Sequence, residues 1–348
     1  MRVLWLSPWL RPIARIHAEN LQSLGAEVML VTSDLHPESD RARPYETVLL
    51  GRPVPTSGWL PVLDAYRRAA SFKPDIVVTE LLRDPRWRAF ATLAPRIRMV
   101  HDDKPHDETH SAPWWNRLFF DRWDADADAT VVFSNYVADN LRAAGATTRT
   151  YVAPLISDLD PTLVPDFVPA QRRRNFTLVG RQRPYKNHAV VFAAWDAHTR
   201  GSDWQGDELV LLGTGDISCP LPAHTRWDRR AFEYRQVADE LARAKGSIVH
   251  CRSASQSGVQ VLSLQLGVPT LVSTAGALPE YQPPGSSITG IDDAAGLSRA
   301  LDLLAEPSEA ELQGKAALEH FNGHFDSTVA ARRLLDIFHD VVDRSRQT

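Results

Sequence analysis

The sequence of 348 residues has little cysteine, with Cys219 and Cys251 as its two examples. Extracellular domains that depend on disulfides need more, so this composition favours a reducing compartment. The sequence also lacks an apolar run near the ~20 residues that cross a bilayer. Pro8 interrupts the apolar N-terminus before it reaches the length of a signal peptide. We therefore expect a cytoplasmic protein, with peripheral contact at the inner face of the membrane left open as an alternative.

Charge of one sign is not in excess either. The formal net charge of −4 gives no general attraction to nucleic acid, so we expect no nucleic-acid partner. The basic cluster at 171–174 is interpreted as a solvated linker. With 43% hydrophobic and 24% charged residues and no internal repeat, the chain is typical of a globular protein. Because 348 residues exceed what one hydrophobic core usually holds, the length predicts two domains.

Short, continuous apolar runs such as RVLWLS, DIVVTE and ELVLLG alternate with amphipathic helical stretches. Continuous runs are typical of strands buried on both faces of a parallel sheet. The predicted fold class is therefore α/β, with two Rossmann-like domains, parallel sheets and a cleft between the domains. We place the first domain at 1–160 and the second at 161–327. Residues 328–348 are predicted to form a C-terminal helix whose apolar face covers one domain or both.

Two loops that follow predicted strands carry groups suited to an anion. Arg181 and Lys186 lie in LVGRQRPYKN, where two cations on one short loop could neutralise a diphosphate. Gly258 opens a predicted helix after CRSASQS, and a helix N-terminus reached through glycine can cradle a phosphate. The alternatives are a solvated basic loop and a plain tight turn, and the residues alone leave both open.

The stretch RMVHDDKPHDETH at 98–110 concentrates histidines and carboxylates. His106 and His110 are four residues apart, which raises the alternative of a zinc site. Pro105 favours a turn, and no glutamate directly follows His106 as in a His-Glu-x-x-His motif, so we predict no bound metal. The next stretch, SAPWWNRLFFDRWD, is interpreted as core packing, with lipid or sugar contact as the alternative.

The order and spacing of these elements resemble the GT-B-fold glycosyltransferases, in particular the retaining glycosyltransferase family 4. The elements span nearly the whole chain and are VLWLSPW, MVHD, VVFSNYVADNLRAAG, GRQRPYKN, LVLLGTGD and SQSGVQVLSLQLGVPTLVSTAGALPE. The resemblance implies that the first domain binds an acceptor and the second a nucleotide sugar. It also implies that the C-terminal helix crosses back to the first domain.

The resemblance assigns catalytic and acceptor-side positions. Arg181 and Lys186 match residues that bind the donor diphosphate, where they would stabilise charge on the leaving group. His101, in MVHD, matches the histidine that faces the donor sugar and the reacting centre. The first β-α loop departs from the family, because WLRPIAR replaces a glycine pair and places Arg11 and Arg15 beside the cleft. We expect these two residues and His106 on the acceptor side.

The same resemblance assigns donor-binding positions and reveals a departure. Gly258 and Val259 match the loop that meets the distal phosphate, and Glu280 lies in the sugar-side loop. The family commonly has two glutamates, eight positions apart, around this cradle, whereas Ser255 and Ser263 stand here. A neutral hydroxyl makes a weaker contact than a carboxylate by about 1 kcal/mol, so the donor is predicted to be unusual or recognised differently.

We therefore predict a glycosyltransferase that moves a sugar from a nucleotide diphosphate sugar to a glycan, a glycolipid or another lipid-linked acceptor, in cell-surface polysaccharide or glycoconjugate synthesis. The donor is a co-substrate, and no further cofactor is expected. Retention of anomeric configuration is what the resemblance implies. Two alternatives stay open, a nucleotide-sugar epimerase of the same fold and a catalytically silent nucleotide-sugar-binding protein. The sequence does not indicate the oligomeric state.

Overall fold

The computed structural model describes residues 1–35, 41–50, 59–102, 120, 123–231 and 234–347. It divides into two compact units, unit 1 being Met1–Pro154 with Ser327–Thr348 and unit 2 being Leu155–Asp326. Each unit contains one sheet of parallel strands interleaved with helices. The predicted α/β class with two Rossmann-like domains is confirmed.

Unit 1 contains a seven-stranded sheet in the order β3-β2-β1-β4-β5-β6-β7. Its strands are β1 (Arg2–Ser7), β2 (Glu27–Ser33), β3 (Glu46–Leu49), β4 (Ile76–Glu80), β5 (Arg96–Val100), β6 (Ala129–Val132) and β7 (Thr150–Val152). The order reverses between β1 and β4, and in such sheets ligands bind beyond the carboxyl ends of the strands at the reversal. Glu80 ends β4 there, aligned with Met99 of β5.

Unit 2 repeats this order in a six-stranded sheet, β10-β9-β8-β11-β12-β13. Its strands are β8 (Phe176–Val179), β9 (Leu209–Leu212), β10 (Thr225–Asp228), β11 (Gly246–Val249), β12 (Thr270–Ser273) and β13 (Ile288–Thr289). The reversal lies between β8 and β11. The loops that carry Arg181 and Gly258 follow these two strands, so topology brings the two predicted anion-binding segments to one edge of the sheet.

The helices of the described residues cover the faces of the two sheets. In unit 1 they are α1 (Arg11–Ser23), α2 (Trp59–Phe72), α3 (Asn135–Ala143) and the C-terminal α9 (Ser327–Ser345). In unit 2 they are α4 (His188–Arg200), α5 (Tyr234–Ala242), α6 (Gly258–Gln265), α7 (Ala294–Ala305) and α8 (Pro307–His324). Short 3-10 helices occupy Pro85–Thr92, Pro161–Leu163, Ala170–Arg172, Pro184–Lys186 and Leu278–Tyr281. In the part of the chain that the structure describes, none of these helices has the length and apolarity needed to cross a membrane.

The C-terminal helix α9 belongs to unit 1 and packs against α1. Its buried face consists of Ser327, Ala330, Ala331, Leu334, Ile337, Phe338, Val341 and Val342. Thr328 donates a hydrogen bond to the Asn20 side chain at 3.3 Å, and Arg333 Nε donates to the Val152 carbonyl at 3.2 Å. Burial of this helical stripe completes the core of unit 1.

The basic cluster at 171–174 is not a wholly solvated linker. Arg173 is 4% exposed, and its guanidinium donates to the carbonyl oxygens of Val168, Ala244 and Gly267 at 2.9–3.2 Å. Arginine carries five donors in a planar fork, so one side chain satisfies three buried carbonyls. The solvated interpretation is wrong for Arg173.

Part of the aromatic stretch is described, with Phe120 buried and Trp123 half-buried. Phe120 is 1% exposed and meets Trp123 edge to face, with ring centroids 5.8 Å apart. The indole of Trp123 also lies under the Arg96 guanidinium at 4.0 Å. These contacts support core packing for these two rings, whereas residues 111–119 lie outside the described part of the chain.

Candidate active site

The loop after β8 is held by Gln182, which is fully buried. Gln182 Nε2 donates to the carbonyl oxygens of Leu178 and Gly180 at 3.2 and 2.9 Å, and its Oε1 lies 2.9 Å from His188 Nε2. Burial, assisted by the charge of Lys186, lowers the pKa of His188 to about 4. The neutral ring donates from Nε2 to the amide oxygen, which fixes the loop between β8 and α4.

Lys186 lies inside this loop and not on its surface. Its side chain is 4% exposed, and Nζ donates to the Val179 carbonyl at 2.7 Å. Burial lowers the pKa of the Lys186 ammonium, because a charge without solvent is costly. An anion bound next to Nζ would stabilise the charged ammonium of Lys186 and so raise its pKa again.

Gly180 brings the ammonium of Lys186 close to the start of α6. Gly180 has φ +103°, which a side chain rarely tolerates. A Cβ built on Gly180 would lie 3.4 Å from Lys186 Nζ and 3.7 Å from Val259 Cγ2. The sequence-predicted residues Lys186 and Val259 therefore meet around a position that has only backbone. Arg181, the next residue, is exposed.

Helix α6 begins beside this position with a side-chain cap. Ser257 Oγ accepts the Gln260 N–H at 3.2 Å, so Gly258 is the first residue of the helix. Ser263 is fully buried, and its hydroxyl donates to the Val259 carbonyl at 2.8 Å. This position within the helix does not favour the donor contact predicted for Ser263. Ser255 is buried in the preceding loop.

The predicted sugar-side loop is pressed against the loop after β11. Gly276 has φ +54°, and a Cβ there would lie 1.9 Å from the Ala254 carbonyl oxygen, so only glycine fits. The Ala277 N–H donates to the same oxygen at 3.0 Å. Arg252 N–H donates to the Tyr185 carbonyl at 2.8 Å, which joins the loop after β11 to the loop after β8. Glu280 is exposed on the 3-10 helix that follows Gly276.

In unit 1, His101 lies directly after β5 and is 7% exposed. Its Nε2 is 2.7 Å from Glu80 Oε1, and Glu80 Oε2 accepts the Trp5 indole N–H at 3.3 Å. Burial alone would raise the pKa of the fully buried Glu80, but the hydrogen bond from His101 lowers it. Glu80 is therefore ionised and holds the His101 ring.

Arg11 and Arg15, which were predicted on the acceptor side, are buried against Glu46. Arg15 Nε and Nη2 both lie 2.7 Å from the Glu46 carboxylate, and Arg11 contacts it at 3.1–3.2 Å. Burial alone would raise the pKa of Glu46, but the hydrogen bonds from Arg15 and Arg11 lower it to about 2. The third predicted acceptor-side residue, His106, lies outside the described residues.

No group of three or more histidine, cysteine, aspartate or glutamate side chains suited to a metal ion occurs among the described residues, which leave out 103–119. The histidine and carboxylate stretch at 98–110 is thus described only as far as Asp102.

Two residues that hold the site were not singled out from the sequence. Glu80 closes the apolar run DIVVTE, and a carboxylate at the end of a buried strand next to MVH was the available signal. Gln182 lies between Arg181 and Arg183 in the loop, and its backbone packs directly against Gly215. A Cβ on Gly215 would lie 2.0 Å from the Gln182 carbonyl oxygen, a contact that the sequence does not reveal.

Solved structures resemble this chain over nearly its whole length. A sucrose-phosphate synthase from Thermosynechococcus elongatus is 15% identical, covers 99% of this chain and 100% of its own, and has a TM-score of 0.71. Anabaena HepE in complex with UDP is 13% identical, with coverage of 98% and 100% and a TM-score of 0.67. The trehalose-6-phosphate protein of E. coli bound to UDP-2-fluoro glucose is 13% identical, with coverage of 98% and 99% and a TM-score of 0.64.

These likenesses, with the two parallel sheets of identical strand order, define the chain as a protein of the GT-B fold. Residues 14–160 match the family model Glycosyltransferase Family 4. No curated protein matches the chain. The resemblance inferred from the sequence motifs is confirmed: the chain has the GT-B fold, and residues 14–160 are similar to Glycosyltransferase Family 4.

Proposed function

We propose that this protein transfers a sugar from a nucleotide diphosphate sugar to a hydroxyl group of an acceptor. The observation that carries the proposal is the convergence of Lys186 Nζ and Val259 on the backbone of Gly180, beside the exposed Arg181. This arrangement offers two cations and the start of α6 to one anion. A diphosphate leaving group has the charge that such a site stabilises.

In the proposed reaction, the bond between the anomeric carbon and the diphosphate oxygen breaks, and its electron pair stays on the diphosphate. The acceptor oxygen forms the new bond to the anomeric carbon, and its proton passes to an oxygen of the departing diphosphate. Arg181 and Lys186 stabilise the negative charge that grows on the leaving group. We propose that these two cations act without an obligatory metal ion and that, as in the resembling family, the anomeric configuration is retained.

The structural neighbours suggest which substrates to test first. HepE is described in complex with UDP-glucose, so UDP-sugars are the first donors. The titles of two other neighbours name sucrose-phosphate synthase and trehalose-6-phosphate, so sugar phosphates join glycans and lipid-linked sugars as acceptors. With a lipid-linked acceptor the protein would act in the cytoplasm at the inner face of the membrane, in polysaccharide or glycoconjugate synthesis.

The test is release of nucleotide diphosphate from a panel of nucleotide sugars, measured with and without each acceptor class. We expect release that depends on the acceptor, and product analysis by NMR gives the anomeric configuration. Conversion of the sugar without nucleotide release would instead identify an epimerase. Binding of donors without any turnover would identify a silent binding protein, and either outcome would refute the proposed transfer.

A further inference from the structure

The hydrogen bond between Glu80 and His101 determines which nitrogen of the imidazole carries the proton. Glu80 is fully buried, and both of its oxygens are engaged, Oε1 by His101 Nε2 at 2.7 Å and Oε2 by the Trp5 indole at 3.3 Å. An ionised carboxylate can only accept hydrogen bonds. Nε2 of His101 must therefore be protonated to face it.

With the proton on Nε2, the lone pair of the neutral ring lies on Nδ1. His101 lines a pocket of unit 1 formed at the ends of β4 and β5, together with Leu81, Arg98 and Trp123. Within the described part of the chain, Glu80 is the hydrogen-bond partner found for this imidazole. In this tautomer Nδ1 carries the lone pair and can accept a hydrogen bond.

The neighbouring histidine, His17, is not a second charged partner of Glu80. His17 is fully buried and stacks on Trp5, with ring centroids 5.0 Å apart and planes 19° apart. Burial lowers the pKa of His17 to about 4, and neither of its ring nitrogens has a hydrogen-bond partner among the described residues. His17 therefore stays neutral near pH 7, and the histidine that the Glu80 carboxylate contacts is His101.

We propose that Glu80 is a positioning residue that holds His101 in the Nε2–H tautomer, so that Nδ1 accepts a hydrogen bond from a substrate hydroxyl. The kinetic part of this inference rests on the proposed glycosyl transfer, whereas the tautomer is a property of unit 1 itself. A substrate whose hydroxyl is replaced by fluorine, which cannot donate, should lose this contact.

Unit 2 supplies a matched control of the same chemistry. His198 is fully buried in the core beside Phe176 and Trp195, and its Nδ1 lies 2.5 Å from Asp302 Oδ1. Asp302→Asn removes the same type of charge from a histidine that the proposal does not place in the site. It should alter neither the His101 tautomer nor turnover.

The direct experiment is two-bond ¹H–¹⁵N NMR of the full chain labelled with ¹⁵N-histidine, near pH 8, with His101→Ala used to assign the His101 ring. We expect the Nε2–H tautomer in wild type and a mixture or the Nδ1–H tautomer in Glu80→Gln, which is isosteric. In Asp302→Asn the His101 signals should match wild type. A wild-type Nδ1–H tautomer, or an unchanged tautomer in Glu80→Gln, would overturn the proposal, and the wild-type spectrum decides even if Glu80→Gln does not fold.

Kinetics give the second readout. Loss of a carboxylate that orients a metal-bound histidine typically costs roughly ten- to a hundredfold in activity, and by analogy Glu80→Gln should lower kcat by that factor while the donor KM changes little. Fluorine in place of the contacted hydroxyl should slow wild type much more than Glu80→Gln, and equal slowing across a set of fluoro-sugars would contradict the proposal. Absence of turnover in wild type would refute the proposed function alone, because the tautomer spectra would still decide this inference.

Discussion

The sharpest perturbation of the proposed donor site removes the charge of Lys186 and keeps the side-chain stem. The side chain is 4% exposed, and its Nζ donates to the Val179 carbonyl at 2.7 Å. Alanine would also delete three buried methylene groups, worth about 0.8 kcal/mol each. Methionine keeps a stem of similar length and removes the ammonium, so Lys186→Met should leave the fold and the melting temperature close to wild type.

Turnover should fall much more than stability. Loss of one preorganised charge from a transition-state site typically costs about 3 to 4 kcal/mol, which is a roughly hundred- to thousandfold decrease in kcat. Arg181→Ala should show the same loss, with no cost to the core, because Arg181 is exposed. Arg183, in the same loop, matches no diphosphate-binding position, so Arg183→Ala should lose less than about tenfold.

The assay is nucleotide release at saturating donor for wild type and the three variants, with circular dichroism to confirm folding. Folded Lys186→Met and Arg181→Ala variants with near-wild-type kcat would refute the donor site in unit 2. A loss in Arg183→Ala as large as in the other two would show that general loop charge, and not the two assigned cations, carries the effect.

Three further predictions concern stability and metal dependence. The unfolded chain protonates His17 as pH falls below 6.5, whereas the pKa of His17 in the folded protein is about 4, so the free energy of unfolding should decrease toward acid pH. In urea unfolding, His17→Phe should remove about 2–3 kcal/mol of the decrease between pH 7 and 4.5. An unchanged pH dependence in His17→Phe would contradict this. Phe338→Ala should cost about 3–5 kcal/mol in thermal unfolding because α9 buries that ring, while exposed Arg332→Ala should not. Turnover should persist in EDTA, and its loss with rescue by Mg²⁺ or Mn²⁺ would contradict metal independence.

The sequence identified the strand-end loops of unit 2 because their pattern is local. A continuous apolar run predicts a buried parallel strand, and the residues after it must lie at the carboxyl edge of the sheet. Arg181, Lys186 and Gly258 were assigned to that edge on these grounds, and the structure brings Lys186 and Val259 together around Gly180. Their roles in catalysis stay predictions.

Burial within loops and pairing over long sequence distances could not be predicted. Lys186 was placed on a short loop after a strand, and nothing in the sequence indicated that its stem is buried at the end of the 3-10 helix Pro184–Lys186. The ion pairs of Arg11 and Arg15 were not predicted because their partner, Glu46, lies on β3, more than 30 residues away in the chain. Side-chain environment in such cases depends on tertiary packing, which local patterns do not encode.

The central claim is that unit 2 binds the diphosphate of a nucleotide sugar through Arg181 and Lys186. A thermal-shift titration of wild type and Arg181→Ala with UDP, GDP and ADP, beside the matching monophosphates, tests it directly. A ligand at one hundred times its Kd adds about 2.7 kcal/mol of stability, so at least one diphosphate should raise the wild-type Tm by several degrees, the monophosphate by less, and Arg181→Ala should lose most of the shift. No shift with any diphosphate, or an equal shift in Arg181→Ala, would contradict the claim.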